Sequence, residues 1–98
     1  MVNWHNESTD KLCDALLTLK SREECYEFLD DVCTIREVLD ISQRLAVATL
    51  LSNKISYSEI SAKTGASAAT ISRVSKCYEY GSGGYKKVIG RINGEADD

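Results

Sequence analysis

Between positions 67 and 76 the chain sets out side chains whose chemistry suits the reading of a DNA duplex: Ser67, Ala68, Ala69, Thr70, Ser72, Arg73 and Lys76. Alanine and the threonine methyl can pack on the thymine methyl, and hydroxyls can bond to base edges or phosphate oxygens. The Arg73 guanidinium can fork onto guanine or phosphate. Small side chains matter here because they let a helix enter the major groove without steric conflict. Other chemistries are poorly supplied. There is no nucleophile–base pair and no phosphate-cradling glycine loop, and the one histidine is His5, so an enzyme is not expected. Cys13, Cys25, Cys33 and Cys77 contain no Cys-x-x-Cys pair, which argues against a metal site. They read as small buried hydrophobes of a reducing compartment.

Such a reading surface needs a helix and something to aim it. Residues 56–80 supply both. Ser56, with Glu59 three positions on, opens one short helix by the spacing in which hydroxyl and carboxylate each satisfy a free backbone N–H. Gly65 closes it, as a residue without Cβ can turn left-handed at little cost. Ser67 then caps a second helix, whose inward stripe is Ile71, Val74 and Tyr78. At about 100° per residue, Ala69, Ser72, Arg73, Lys76 and Tyr80 fall opposite that stripe. Two short helices joined by so tight a turn predict a helix-turn-helix. The plainer reading of the same spacing is an antiparallel helical hairpin with a solvated outer face.

The net charge of −3 conceals a division. Residues 1–53 carry five basic side chains against ten acidic ones. Residues 54–94 carry seven (Lys54, Lys63, Arg73, Lys76, Lys86, Lys87 and Arg91) against Glu59 and Glu79, and the tail adds Glu95, Asp97 and Asp98. A basic half suits a face presented to phosphates, with strong salt dependence.

The remaining elements are all helical. Ninety-eight residues make one domain, 1–98, and a chain so short buries a modest share of its surface alone, so a second copy is an expected partner. There is no proline, and apolar residues recur at three-four spacing. The spacing predicts a helix from Ser8 or Thr9 to about Lys20. A second, capped at Ser21, is expected to bury Cys25, Phe28, Leu29 and Val32. A short third is expected from Thr34 to Leu39. Asp40 is expected to cap another to about Ser52, with Ile41, Leu45, Ala48 and Leu51 inward and Val47 and Leu50 off that stripe. After the break at residues 81–84 a last helix carries Tyr85, Val88, Ile89 and Ile92 on one side. The expectation is thus an all-α fold of six or so short helices, with disordered termini at about 1–7 and 94–98. The opening residues do not read as a signal peptide and no segment is long enough to span a bilayer, which places the protein in the cytoplasm of a bacterium.

The run Thr64-Gly65-Ala66-Ser67, continuing into Ala69-Thr70-Ile71-Ser72-Arg73, resembles the helix-turn-helix of the tryptophan repressor family. Asp30-Asp31-Val32-Cys33-Thr34, Ser42-Gln43-Arg44-Leu45 and Cys77-Tyr78-Glu79-Tyr80-Gly81 are similar to its YerC/YecD branch, and the likeness covers about residues 8–92. The resemblance implies an intertwined all-helical homodimer reading a palindromic operator in double-stranded DNA, a repressor of transcription. Two recognition helices about 34 Å apart belong to this class of dimer, of which the tryptophan repressor is itself a founding example. By matching position, Ser67, Ala68, Ala69, Thr70, Ser72 and Arg73 meet DNA, and Ser58 and Ser61 lie on the helix that approaches its backbone.

The resemblance also implies a small-molecule co-repressor site at Thr34, Arg44, Arg73 and Cys77. Val74, where the family has glycine, and Cys77, where it has serine, argue against tryptophan in the same pocket. The residues alone leave other roles open: Thr34 as a helix cap, and Arg44 as an ion-pair partner of Asp40. A different class of function also fits the acidic front half and the serines at 58 and 61. This is a helical protein-interaction module without operator binding.

Overall fold

Asn6 decides where the first helix begins. Its side-chain oxygen accepts the Thr9 N–H at 3.0 Å, and the Thr9 hydroxyl accepts the Asn6 N–H at 2.8 Å. This reciprocal cap starts α1 at Glu7, upstream of the expected Ser8 or Thr9, and α1 spans Glu7–Leu17. It stops short of Lys20 because the Thr18 hydroxyl closes back on the Ala15 carbonyl at 2.6 Å. The computed structural model describes residues 3–95, so Met1, Val2 and the tail from 96 lie outside the described residues of the expected disordered ends. Within 1–7, Asn6 and Glu7 are tied into the cap and helix, and the Trp4 ring meets His5 edge-on at 4.2 Å.

The chain divides into two compact units, Met1–Ile35 and Arg36–Asp98. The first holds α1 and α2, the latter spanning Arg22–Val32. Ser21 accepts the Glu24 N–H at 3.1 Å as expected, but the Glu24 carboxylate reaches one residue past the cap, to the Lys20 N–H at 2.9 Å. Neither helix has a buried residue. Cys25, Phe28 and Leu29 are half-buried and Val32 is exposed, so the expected buried stripe is only partly covered.

The second unit is built on α3, Ile35–Ser52, whose first residue closes the first unit. The expected break at Asp40 is absent. Asp40 faces Arg36 one turn earlier, at 3.4 Å, and accepts from it as an i,i+4 pair instead of capping a new helix. With no glycine or proline nearby, nothing forces the backbone to stop. Nor does Arg44 take Asp40 as its ion-pair partner. Beyond its end lies Lys54, a left-handed residue with φ +62°. There the Lys54 N–H reaches Leu51 and the Ile55 N–H reaches Leu50, at 3.0 and 3.1 Å. This pair of bonds is the usual closing motif of a helix, with lysine where glycine is commoner.

Next come α4, Tyr57–Thr64, α5, Ala68–Tyr80, and α6, Gly84–Ile92. α4 packs chiefly on α5, and α5 on α6. The core joins Val47 and Ala48 of α3 to Ile60 of α4, Ala66 of the turn, Ile71 and Val74 of α5 and Ile89 of α6. Burying one large aliphatic side chain contributes about 1.5–3 kcal/mol, so Ile60, Ile71 and Val47, all fully enclosed, dominate. Val47 is therefore inward and Ile41, 51 % exposed, is not. α3 is apolar on two sides, and periodicity alone does not tell which side is covered. On α6 only Ile89 is buried, while Val88 and Ile92 stay exposed. None of the four cysteines is buried: Cys25 and Cys33 are half-exposed, Cys13 and Cys77 exposed, and all four thiols are free. Among the described residues the fold is all-α, with six helices and none long and apolar enough to cross a membrane.

Candidate nucleic-acid interface

The turn between α4 and α5 is Gly65-Ala66-Ser67, and each residue has an identifiable task. Gly65 adopts φ +74°, ψ 4°, closing α4 with its N–H on the Ser61 carbonyl at 2.9 Å. Thr64 stitches both sides. Its hydroxyl donates to the Ile60 carbonyl at 2.7 Å and accepts the Ala66 N–H at 3.1 Å. The Ser61 hydroxyl donates across the turn to the Ala66 carbonyl at 2.9 Å. Ala66 is enclosed, so its polar groups have to find partners inside the protein, and these hydroxyls supply them.

Ser67 begins α5 from an extended conformation and accepts the Thr70 N–H at 3.1 Å. Its hydroxyl also donates to the Thr70 hydroxyl at 3.1 Å. Ile71 and Val74 are fully or nearly fully buried, which fixes the rotation of α5 about its axis. Ala68, Ala69, Ser72, Arg73 and Lys76 are consequently exposed, and Thr70 is half-exposed. Tyr80 is exposed as well, and Tyr78 half-buried with the Lys86 ammonium 5.3 Å over its ring.

On α4, Ser58 is exposed, whereas Ser61 is half-buried with its hydroxyl engaged in the turn. Lys63 is paired with Glu59 at 3.5 Å on the exposed side of the same helix. Of the residues tied to a small ligand, Arg44 and Cys77 come together. They line a mostly apolar cavity of about 480 Å³ with Ile41, Leu45, Tyr85 and Val88. Arg73 is not among its lining residues. Thr34 belongs to the first unit and the other three to the second. Val74 fills core space, 2 % exposed.

Sequence reasoning missed Gln43. From α3 its side-chain amide donates to the Thr64 carbonyl at 3.2 Å, at the end of α4. Its partner lies far along the chain, and helical spacing carries no signal for a bond of that kind. For Thr64 a local signal exists: a threonine directly before a helix-ending glycine is well placed to bond in both directions.

Comparison with known proteins bears on the whole chain. A model of the Trp repressor protein family matches residues 7–93, which take in all six helices. An uncharacterized Bacillus subtilis (strain 168) protein, YerC, is 47 % identical over 83 residues, covering 85 % of this chain and 80 % of that one. A crystal structure of a provisionally assigned Trp repressor from Staphylococcus aureus superposes with a TM-score of 0.88 at 43 % identity, over 95 % of this chain and 93 % of the other. A TrpR-like protein from Eubacterium eligens ATCC 27750 gives 0.88 and 43 %, over 94 % and 95 %. With a family model that spans all six helices and likeness along nearly its full length, the chain belongs to the Trp repressor family, in its YerC-like branch.

Proposed function

We propose that the chain is a sequence-specific, DNA-binding transcriptional regulator and not an enzyme, acting as a homodimer on a palindromic operator. One observation carries the reading. The end of α5 that bears Ala68, Ala69, Ser72 and Arg73 is exposed, while Ile71 and Val74 anchor the opposite side in the core. A helix held this way offers a slender, hydroxyl-bearing edge of the width a major groove accepts. In this reading Ser67, Thr70 and Ser58 add polar contacts, Lys76 meets phosphate, and Ser61 acts through the turn. The whole of 1–98 functions as one domain in the cytoplasm.

The homodimer is supported by apolar surface that one chain leaves uncovered. In the first unit Leu17 is 83 % and Ile35 81 % exposed, and Leu12, Leu16 and Val32 are exposed as well. Surface of this kind is a liability on a free monomer. The cavity beside Arg44 and Cys77 has the size of a small-molecule site, and an apolar effector with one anionic group suits its lining.

The test is selection of bound sequences from random duplex DNA at moderate salt, with and without an amino-acid mixture. Enrichment of a two-fold symmetric sequence is expected. If no sequence is enriched while the dimer is intact, the exposed apolar surface and acidic front half favour the interaction-module reading instead.

A further inference from the structure

A reading helix is useful only if its tilt is fixed relative to the body that carries it. α4 and α5 pack on each other and are locked by Ser61 and Thr64, so they move as one piece. What ties this piece to α3 is therefore the point of interest. Val47 and Ala48 supply apolar contact, which holds the two together without directing them. The Gln43 amide adds a directional bond, reaching the Thr64 carbonyl at 3.2 Å from the middle of α3. That carbonyl lies in the last turn of α4, where backbone acceptors lack helical partners. Gln43 is half-buried, so water competes for the bond less than at an open surface. The bond also acts at a distance from the α3–α4 joint at residues 53–56. Two separated attachments fix an angle where one allows a swing.

We propose that Gln43 is a positioning residue, setting the tilt of the α4–α5 pair against α3 and through it the discrimination between operator and other DNA. This rests on the DNA-binding reading above. Gln43 itself touches no DNA. Its effect falls on specific binding, which needs the angle, and spares non-specific binding, which needs only charge.

The experiment measures the full-length protein on two duplexes of equal length at one salt concentration. One carries the sequence that the wild type selects from random DNA, the other a scramble of it. Gln43→Met keeps the length of the side chain and removes the donor. Its ratio of specific to non-specific affinity is expected to fall about two- to tenfold, the range of one lost hydrogen bond. Its affinity for the scramble stays close to wild type, while its Tm falls by a few degrees, as one lost hydrogen bond implies. Gln43→Lys, which restores an N–H donor facing the same carbonyl, is expected to recover the ratio even though its added charge tightens both complexes.

A Met variant with the wild-type ratio overturns the assignment, as does one that loses both affinities equally. If the Met variant fails to fold, a Lys variant that folds but shows a depressed ratio overturns it too. A wild type that selects no sequence overturns the DNA-binding reading, a separate result from a wild type that discriminates and a Met variant that does so equally well.

Discussion

Ser61 donates its hydroxyl hydrogen to the carbonyl of Ala66 at 2.9 Å, bridging the last half of α4 to the turn that launches α5. The position that the family resemblance assigns to approach of the DNA backbone is thus also a structural brace. Replacing Ser61 by alanine is expected to destabilise the protein by about 1–3 kcal/mol, because an enclosed acceptor loses its partner. Binding to unrelated duplexes should stay unchanged. Urea unfolding and binding to unrelated duplexes separate the two: weaker binding to all duplexes alike at unchanged stability would restore a direct phosphate role.

Arg73 and Lys76 lie on the same exposed face of α5 but are expected to behave differently. Arg73→Ala should weaken binding to the selected operator by about 1–3 kcal/mol, with relaxed preference at one base position, if the guanidinium forks onto guanine. Lys76→Ala should weaken binding to all duplexes alike and lower the salt slope by about one. Fluorescence anisotropy on matched and mismatched duplexes distinguishes them.

Among the described residues of the first unit, Leu17 and Ile35 are the most open aliphatic side chains. On a lone chain, aspartate at either position would be nearly neutral, since surface changes seldom exceed about 0.5 kcal/mol. In the proposed dimer, Leu17→Asp and Ile35→Asp should shift sedimentation toward the mass of one chain and lower the Tm. The wild-type Tm should rise with protein concentration, as it does whenever association stabilises the folded state. Absence of all three effects would remove the dimer.

Asp40 offers a fourth test. As a helix cap, its replacement would cost about 1 kcal/mol. As an exposed partner of Arg36 within one continuous helix, Asp40→Ala should cost about 0.5 kcal/mol or less, and the ion-pair share of that cost should vanish at high salt. Thermal unfolding at low and high ionic strength measures it.

The local features were legible in the sequence to the extent that their causes are local. Ser21, Ser56 and Ser67 cap the helices expected of them, and Gly65 turns left-handed where a glycine closes a helix. The burial of Ile71 and Val74 follows from spacing alone, and with it the exposed edge of α5. Asp40 has the side chain of a helix cap but lies inside a continuous helix. Only the missing break in the backbone excludes it as a cap. Val47 was placed off the inward stripe because α3 is apolar on two sides, and which side is covered depends on helices distant in sequence. Lys54 takes a left-handed conformation that composition does not announce. Gln43 is the plainest case of a non-local bond. Nothing at its own position advertises an acceptor on another helix.

The unbroken course of α3 has a mechanical result. Eighteen residues at about 1.5 Å each form a strut some 27 Å long, with neither glycine nor proline inside it to serve as a pivot. Compliance in the second unit is thereby displaced from the strut to its downstream joint at Asn53, Lys54 and Ile55. There one residue already holds a backbone conformation that side chains disfavour, and Lys54→Gly would relax it.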